Sequence, residues 1–175
     1  EHDPIEQVRH RLEEKGWARM CWPVEQGGQG RNPLYQFLFV EEMEYWGMPY
    51  GNLTYTSIGP SIQHFGSEEQ KRRWLPGIWR GEYTFAIGYS EPNAGSDLAN
   101  LSLRAERVGD EFVINGQKMW TSGAHYCNYI WLACRTDPDA PKHKGISMII
   151  VPTSSPGFKT TPIVTVGSVV TQATY

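Results

Sequence analysis

The stretch "RWLPGIWRGEYTFAIGYSEPNAGSD", Arg73 to Asp97, decides how the rest of the chain is read. Up to Gly81 the sequence is helical in character; beyond it, the period changes to the alternation of half-buried strands, starting with "YTFAIGY", Tyr83 to Tyr89. A helical block followed by a strand block implies an α+β chain of two units. The boundary falls near Glu82, giving an N-terminal helical domain over 1–82 and a β-domain over 83–175.

Working back toward the N-terminus, Ser67-Glu68-Glu69-Gln70 has the spacing of a capping box and opens a helix, "EEQKRRWLPGIW". Before it, a helix is expected from about Asn52 to His64, interrupted or bent at Gly59-Pro60. Asn32-Pro33 starts another, "LYQFLFVEEMEYWG", which stops at Gly47. "WPVEQGGQGRNP", Trp22 to Pro33, is loop. Asp3-Pro4 caps a first helix that Gly16 closes.

Working forward, "LSLRAERV" (Leu101 to Val108) reads as a strand that Gly109-Asp110 turns into "EFVIN". Asn115-Gly116 is the strongest short hairpin signal in the chain, and the expected product is a strand through "QKMWTS". "YIWLACR" (Tyr129 to Arg135) and "ISMIIV" follow, separated by the polar loop "TDPDAPKHKG". The chain opens in a helix without an initiator methionine and stops at "VVTQATY" within a β-like pattern, so the expectation is a piece of a longer protein.

With 39% hydrophobic, 20% charged and 13% aromatic residues, the composition is that of a globular protein rather than a disordered one. A net charge of −3 gives no electrostatic reason to expect nucleic acid or an anionic membrane. The longest strongly apolar run, Ile146 to Val151, is too short to span a bilayer, and the charged start does not read as a signal peptide. Cys21, Cys127 and Cys134 are odd in number and lack metal or redox spacing, which points to free thiols in a reducing cytoplasm and to no metal centre.

Two clusters carry candidate chemistry. The first, Ile87 to Asp97, gathers Ser90, Ser96, Glu91, Asp97 and two glycines around Pro92. It lacks the second glycine of a nucleophile elbow and the Gly-Lys-Ser/Thr ending of a Walker loop. A solvated turn remains open, as does a loop whose backbone at Gly95 and hydroxyls at Ser90 and Ser96 hydrogen-bond a phosphate or a heteroaromatic edge. The second, "QKMWTSGAHY" (Gln117 to Tyr126), sets Trp120 beside Thr121 and Ser122. A flat aromatic next to two hydroxyls suits a planar polar ligand, although a core tryptophan is the plainer reading.

The order and spacing of "GYSEPNAGSDLANL", "VINGQKMWTSGA" and "APKHKGISMIIVPTSSPGF" closely resemble the acyl-CoA dehydrogenase family. The helical half agrees, in "KGWARMCWPVEQGGQG", "FVEEME" and "FGSEEQKRRWLPGI". The resemblance covers almost the whole chain. It implies a helical N-terminal domain, a partial antiparallel β-barrel-like middle domain cut short at its end, and a C-terminal helical bundle absent from this sequence. It also implies FAD as cofactor, an acyl-CoA substrate, an electron-transfer flavoprotein as electron acceptor, and a homo- or hetero-oligomer.

By this resemblance the flavin-binding positions are Ile87, Gly88, Tyr89, Ser90, Glu91, Pro92, Asn93, Ala94, Gly95 and Ser96, together with Trp120, Thr121 and Ser122. Ser90 takes the place of a hydroxyl facing the isoalloxazine, and Ser96 lies near the phosphates and the acyl-CoA. Trp120 packs on the ring, and Ser122 or its neighbour Thr121 meets N5. Asn93 replaces the glycine usual in "EPGAGSD", a change expected to be tolerated because Asn accepts positive φ. The segment "YGNLTYTSIGPS", Tyr50 to Ser61, corresponds to part of the acyl pocket, or else to helix-packing core.

The reaction implied is α,β-dehydrogenation: a glutamate removes the α-proton while the β-hydrogen leaves as hydride. That glutamate belongs to the absent C-terminal part, so no catalytic residue is assigned within these 175 positions, and the fragment alone is expected to be inactive. Glu91 reads as a structural hydrogen-bond acceptor. The alternatives are an acyl-CoA oxidase or flavin monooxygenase on the same architecture, a non-catalytic subunit of a heteromeric flavoprotein, and a plain α+β binding module.

Overall fold

The computed structural model describes residues 4–48, 53–166 and 170–174. The chain divides into two compact units, Glu1–Tyr83 and Thr84–Tyr175.

The first unit is helical. Helix α1 spans Pro4–Glu14, α2 spans Pro33–Tyr45, α3 spans Gly59–Phe65 and α4 spans Glu68–Trp79. Two of the starts are written in the local chemistry. The side chain of Asn32 accepts the Leu34 N–H at 3.0 Å with Pro33 at the first position of α2. At α4, Ser67 Oγ accepts the Gln70 N–H and Gln70 Oε1 accepts the Ser67 N–H, so the capping box is complete. The interruption expected at Gly59-Pro60 takes the form of a single wide π-type turn, Thr54–Ile58, running directly into α3. Asp3, Tyr50 and Asn52 lie outside the described residues.

Trp22, from the loop before α2, is buried in the core of this unit, where its indole N–H donates to the Tyr55 carbonyl at 3.2 Å. Ile58, Ile62, Leu75 and Ile78 are buried as well. Helix α2 is different, since Leu34, Tyr35, Phe37 and Leu38 all lie exposed within the unit.

The second unit is built on strands β1 (Phe85–Gly88), β2 (Arg104–Val108), β3 (Glu111–Asn115), β4 (Tyr129–Arg135), β5 (Ile146–Pro152), β6 (Thr160–Val164) and β7 (Val170–Thr174). Strand β4 is central. It pairs along its whole length with antiparallel β5, and over Tyr129 to Leu132 with parallel β1. Parallel β2 then joins it at Arg135, opposite Arg104. The sheet is therefore open, as a partial barrel-like domain implies, but mixed rather than wholly antiparallel. The reason is topological. Between β1 and β2 the chain makes an excursion, Tyr89 to Leu103, and such a crossover returns a strand in the direction in which the previous one ran. Strands β6 and β7 form a separate antiparallel pair.

The two faces of β4 do different work. Ile130, Leu132 and Cys134 point into the main core with Ala86, Leu103, Ala105 and Ala124. Ala133, on the opposite face by alternation, packs against Ala94 and Leu101 of the excursion. The loop after β1 thus has a small core of its own and lies on the sheet.

The Asn115-Gly116 hairpin does not form. The tight hairpin is at Gly109-Asp110, which joins β2 to β3 with Val108 opposite Glu111. After β3 the chain passes Leu103 closely at Gly116, and "QKMWTS" is not a strand; only Lys118 makes an isolated bridge, to Thr174. Gly116 sits at φ +145° and a Cβ there would meet Leu103 at 2.8–3.0 Å, so glycine is needed for close approach rather than for a turn. Gly116→Ala is expected to cost about 1–3 kcal/mol through crowding and strain. The measurement is a lowered urea midpoint at unchanged denaturant slope.

Candidate functional site

The loop that leaves β1 is tied down by its own acid. Glu91 is buried, and its carboxylate accepts four hydrogen bonds: from the Ser102 N–H at 2.7 Å, the Ser102 hydroxyl at 2.8 Å, the Leu103 N–H at 2.9 Å and Lys118 Nζ at 2.8 Å. The Glu91 backbone closes a tight turn with Ala94, in which the Glu91 N–H donates to the Ala94 carbonyl at 2.7 Å and the Ala94 N–H returns at 3.2 Å. Lys118 is 1% exposed, and its ammonium also donates to the Tyr89 carbonyl at 3.0 Å. The Met119 N–H donates to the Ser90 carbonyl at 2.8 Å. These bonds bring the two sequence clusters together, because the residues around Ser90 are held by the two residues that precede Trp120.

Trp120 has φ +63°, the one positive φ at a non-glycine position among the described residues, and it is 57% exposed. Its carbonyl accepts the Ser122 N–H at 3.0 Å, and the chain then coils through Gly123 and Ala124 back into β4. A left-handed backbone at a bulky residue costs on the order of 1 kcal/mol or more, and such strain gathers at functional sites. Here it turns a tryptophan ring outward. The two hydroxyls that follow are treated oppositely: Ser122 is exposed, whereas Thr121 is wholly buried with no hydrogen-bond partner for Oγ1 among the described residues.

The other sequence candidates are distributed around these anchors. Ile87 and Gly88 are in β1, with Gly88 against Leu132. Tyr89 and Ser90 are half-buried, Ala94 is buried, and Pro92, Asn93, Gly95 and Ser96 are exposed. Asn93 does not occupy a positive φ, so the exchange of glycine for asparagine meets no backbone objection. Apart from its two chain neighbours, no described residue comes within 4 Å of where a Cβ on Gly95 would stand. Asp97 reaches Lys142 at 3.0 Å, an exposed pair of small energetic weight. Arg135 contributes more to the loop's support: its guanidinium donates to the carbonyls of Ala99 and Lys142, at 2.7 and 3.0 Å.

Two family models account for the chain: "Acyl-CoA dehydrogenase, N-terminal domain" over residues 1–82 and "Acyl-CoA dehydrogenase, middle domain" over residues 86–174. The chain belongs to the acyl-CoA dehydrogenase family. Acyl-CoA dehydrogenase FadE26 of Mycobacterium tuberculosis is 51% identical over 91% of the chain and 41% of that relative. The solved "Tcur3481-Tcur3483 steroid ACAD" is 52% identical with a TM-score of 0.93, over 99% of this chain and 45% of that one. A glutaryl-CoA dehydrogenase from Mycobacterium smegmatis in complex with FADH2 is 29% identical with a TM-score of 0.79, over 98% and 44%. The chain thus spans less than half the length of these relatives, which are named as dehydrogenases or ACADs, oxidoreductases of the same family.

Acyl-CoA dehydrogenases bind FAD, and the donor set in this chain fits such a group. An outward tryptophan face, the hydroxyls of Ser90, Ser96 and Ser122 and the uncrowded backbone at Gly95 suit a planar ring bearing polar edges and phosphates. Among the described residues no cluster of His, Cys, Asp or Glu could hold a metal ion, and no helix is long and apolar enough to cross a membrane. All three cysteines are free, and burial pushes the Cys134 thiol up to about 11.

Glu91 is a poor candidate for a proton-abstracting base. Burial pushes its carboxyl upward, but the bonds from Lys118, Ser102 and Leu103 outweigh it and hold the group below its ordinary value of 4.5. Its oxygens are also fully engaged. Glu91, one of the flavin-binding positions implied by the resemblance, has its carboxylate taken up by donors of the chain itself, as a structural acceptor would. Lys118 was missed: the lysine sits in a stretch read as the second strand of a hairpin, and its partner is 27 residues away.

Since the folded Glu91 carboxyl is held below its ordinary value, its contribution to stability is complete above pH 4.5 and is lost as the pH falls through the lowered value. Urea midpoints measured against pH are expected to drop on that acid limb. Glu91→Gln is expected to flatten this part of the profile while lowering stability by about 3–5 kcal/mol at neutral pH, because Lys118 is left charged and unpaired.

Proposed function

We propose that this chain forms the N-terminal and middle parts of an FAD-dependent acyl-CoA dehydrogenase that introduces an α,β double bond into an acyl-CoA thioester. Residues 1–82 are the helical domain and 83–175 the middle domain. The observation that carries the reading is the joining of the two clusters: Met119 bonded to Ser90, and Lys118 to Tyr89 and Glu91, set the Ser90 loop beside the Trp120 segment.

FAD, when bound, supplies the acceptor for a hydride. The chain's own residues bind and orient. Trp120 offers its face to the ring, Ser90 and Ser122 offer hydroxyls to its polar edge, and Ser96 with Gly95 serves the phosphates and the thioester ligand. No described acid of this chain is assigned to proton removal.

The substrate class is lipid-derived, and the resemblance to a steroid ACAD favours a bulky, ring-containing acyl group over a short straight chain. The paired name of that relative, Tcur3481-Tcur3483, supports an oligomer in which a second chain takes part. Electrons pass to an electron-transfer flavoprotein, and the free thiols agree with a cytoplasmic setting.

The full-length protein is expected to purify with flavin and to oxidise one class in a panel of straight, branched and steroid-derived acyl-CoAs with an artificial electron acceptor. A flavin-free protein inert to the whole panel overturns the reading. A sharper prediction uses the strained residue. Trp120→Asn is expected to leave the melting temperature unchanged or slightly raised, since asparagine accepts the left-handed backbone and the lost ring is largely exposed. The same variant is expected to weaken FAD binding at least tenfold in a fluorescence titration.

A further inference from the structure

We propose that Lys118 is a positioning residue that holds the Ser90 loop and the Trp120 segment in one fixed register, and that FAD binding depends on that register. This rests on the reading above that both segments face a flavin. Lys118 is 1% exposed and so cannot itself meet a ligand at the surface. What it does is tie its own segment to two separate parts of the unit. Its N–H donates to the Thr174 carbonyl at 2.8 Å and its carbonyl accepts the Thr174 N–H at 3.0 Å, which fastens it to β7. Its ammonium reaches the Tyr89 carbonyl and the Glu91 carboxylate.

The consequence at Ser90 is specific. The carbonyl of Tyr89 belongs to the peptide plane before the Ser90 Cα, and the carbonyl of Ser90 belongs to the plane after it. The first is held by Lys118 Nζ and the second by the Met119 N–H. With both flanking planes fixed from the Trp120 side, the Ser90 hydroxyl retains little freedom beyond its own side-chain torsion. Trp120 follows Met119 directly, so the same two bonds set the ring and the hydroxyl relative to each other. No strand does this, because Gln117 to Ser122 has no ladder beyond the bridge at Lys118. An apolar side chain of similar length would fill the space but would leave the Tyr89 carbonyl without this donor and the Glu91 charge buried without its counter-ion.

The test uses the full-length protein, with FAD as the probe. Lys118→Met is compared with Ile114→Ala, a core variant on β3 that loosens the same unit away from the site. Lys118→Met is expected to raise the FAD dissociation constant at least tenfold and to change the visible circular dichroism of the flavin that remains bound. Ile114→Ala is expected to lower the melting temperature while leaving both readouts within about twofold of wild type. Should Lys118→Met not fold, Glu91→Gln replaces it, with a three- to tenfold rise and the same spectral change expected. If the folded variant binds FAD as Ile114→Ala does, with the wild-type dichroism, the positioning role is overturned and the flavin reading stands. If the wild-type protein binds no FAD, both fall.

Discussion

The buried pair between Glu91 and Lys118 is the constraint on which the second unit's working surface depends. Two opposite charges removed from water are costly, and their attraction alone seldom repays the loss. Here the carboxylate is satisfied by three further donors and the ammonium by a backbone carbonyl, so the pair acts as a polar core within an apolar one. Such an arrangement adds little net stability over a well-packed hydrophobic substitute, but it tolerates few alternatives. A loop that slipped by one residue would strand a charge. The long excursion between β1 and β2 is thereby given a definite conformation without becoming a strand.

Much of this fold is legible in the sequence because local chemistry and tertiary need agree. The capping box at Ser67, the Asn32-Pro33 start of α2 and the alternation in "YIWLACR" each specify an element that the packing also requires. The Asn115-Gly116 signal fails for the opposite reason. A hairpin needs a returning strand to pair with, and the residues after Gly116 are claimed instead by Thr174, Ser90 and Glu91, all distant in sequence. The mixed character of the sheet was equally hidden, since strand direction depends on where the excursion returns.

The candidate site divides along the same line. Motif order and spacing pointed to the residues of both clusters, because their side-chain chemistry is displayed in the sequence itself. What holds them together was not visible. A lysine at position 118 carries no mark of burial, and a solvated surface lysine would look the same. The left-handed backbone at Trp120 was also unforeseen, since nothing in the type of residue suggests it. Asn93, where positive φ had seemed the issue, has no such conformation.

Trp120 and Lys118 make opposite trades. The lysine is buried, where a charged group is least welcome, and is made acceptable by its counter-ion and a backbone carbonyl. The tryptophan is turned outward on a strained backbone, where a large apolar ring gains least from folding. Neither choice serves the stability of the unit by itself, yet they are separated only by Met119, whose N–H holds Ser90. A sequence selected for stability alone would place the aromatic inside and the lysine outside. The reversal sets these three residues apart from the rest of the unit on grounds of stability, and it does so independently of any motif.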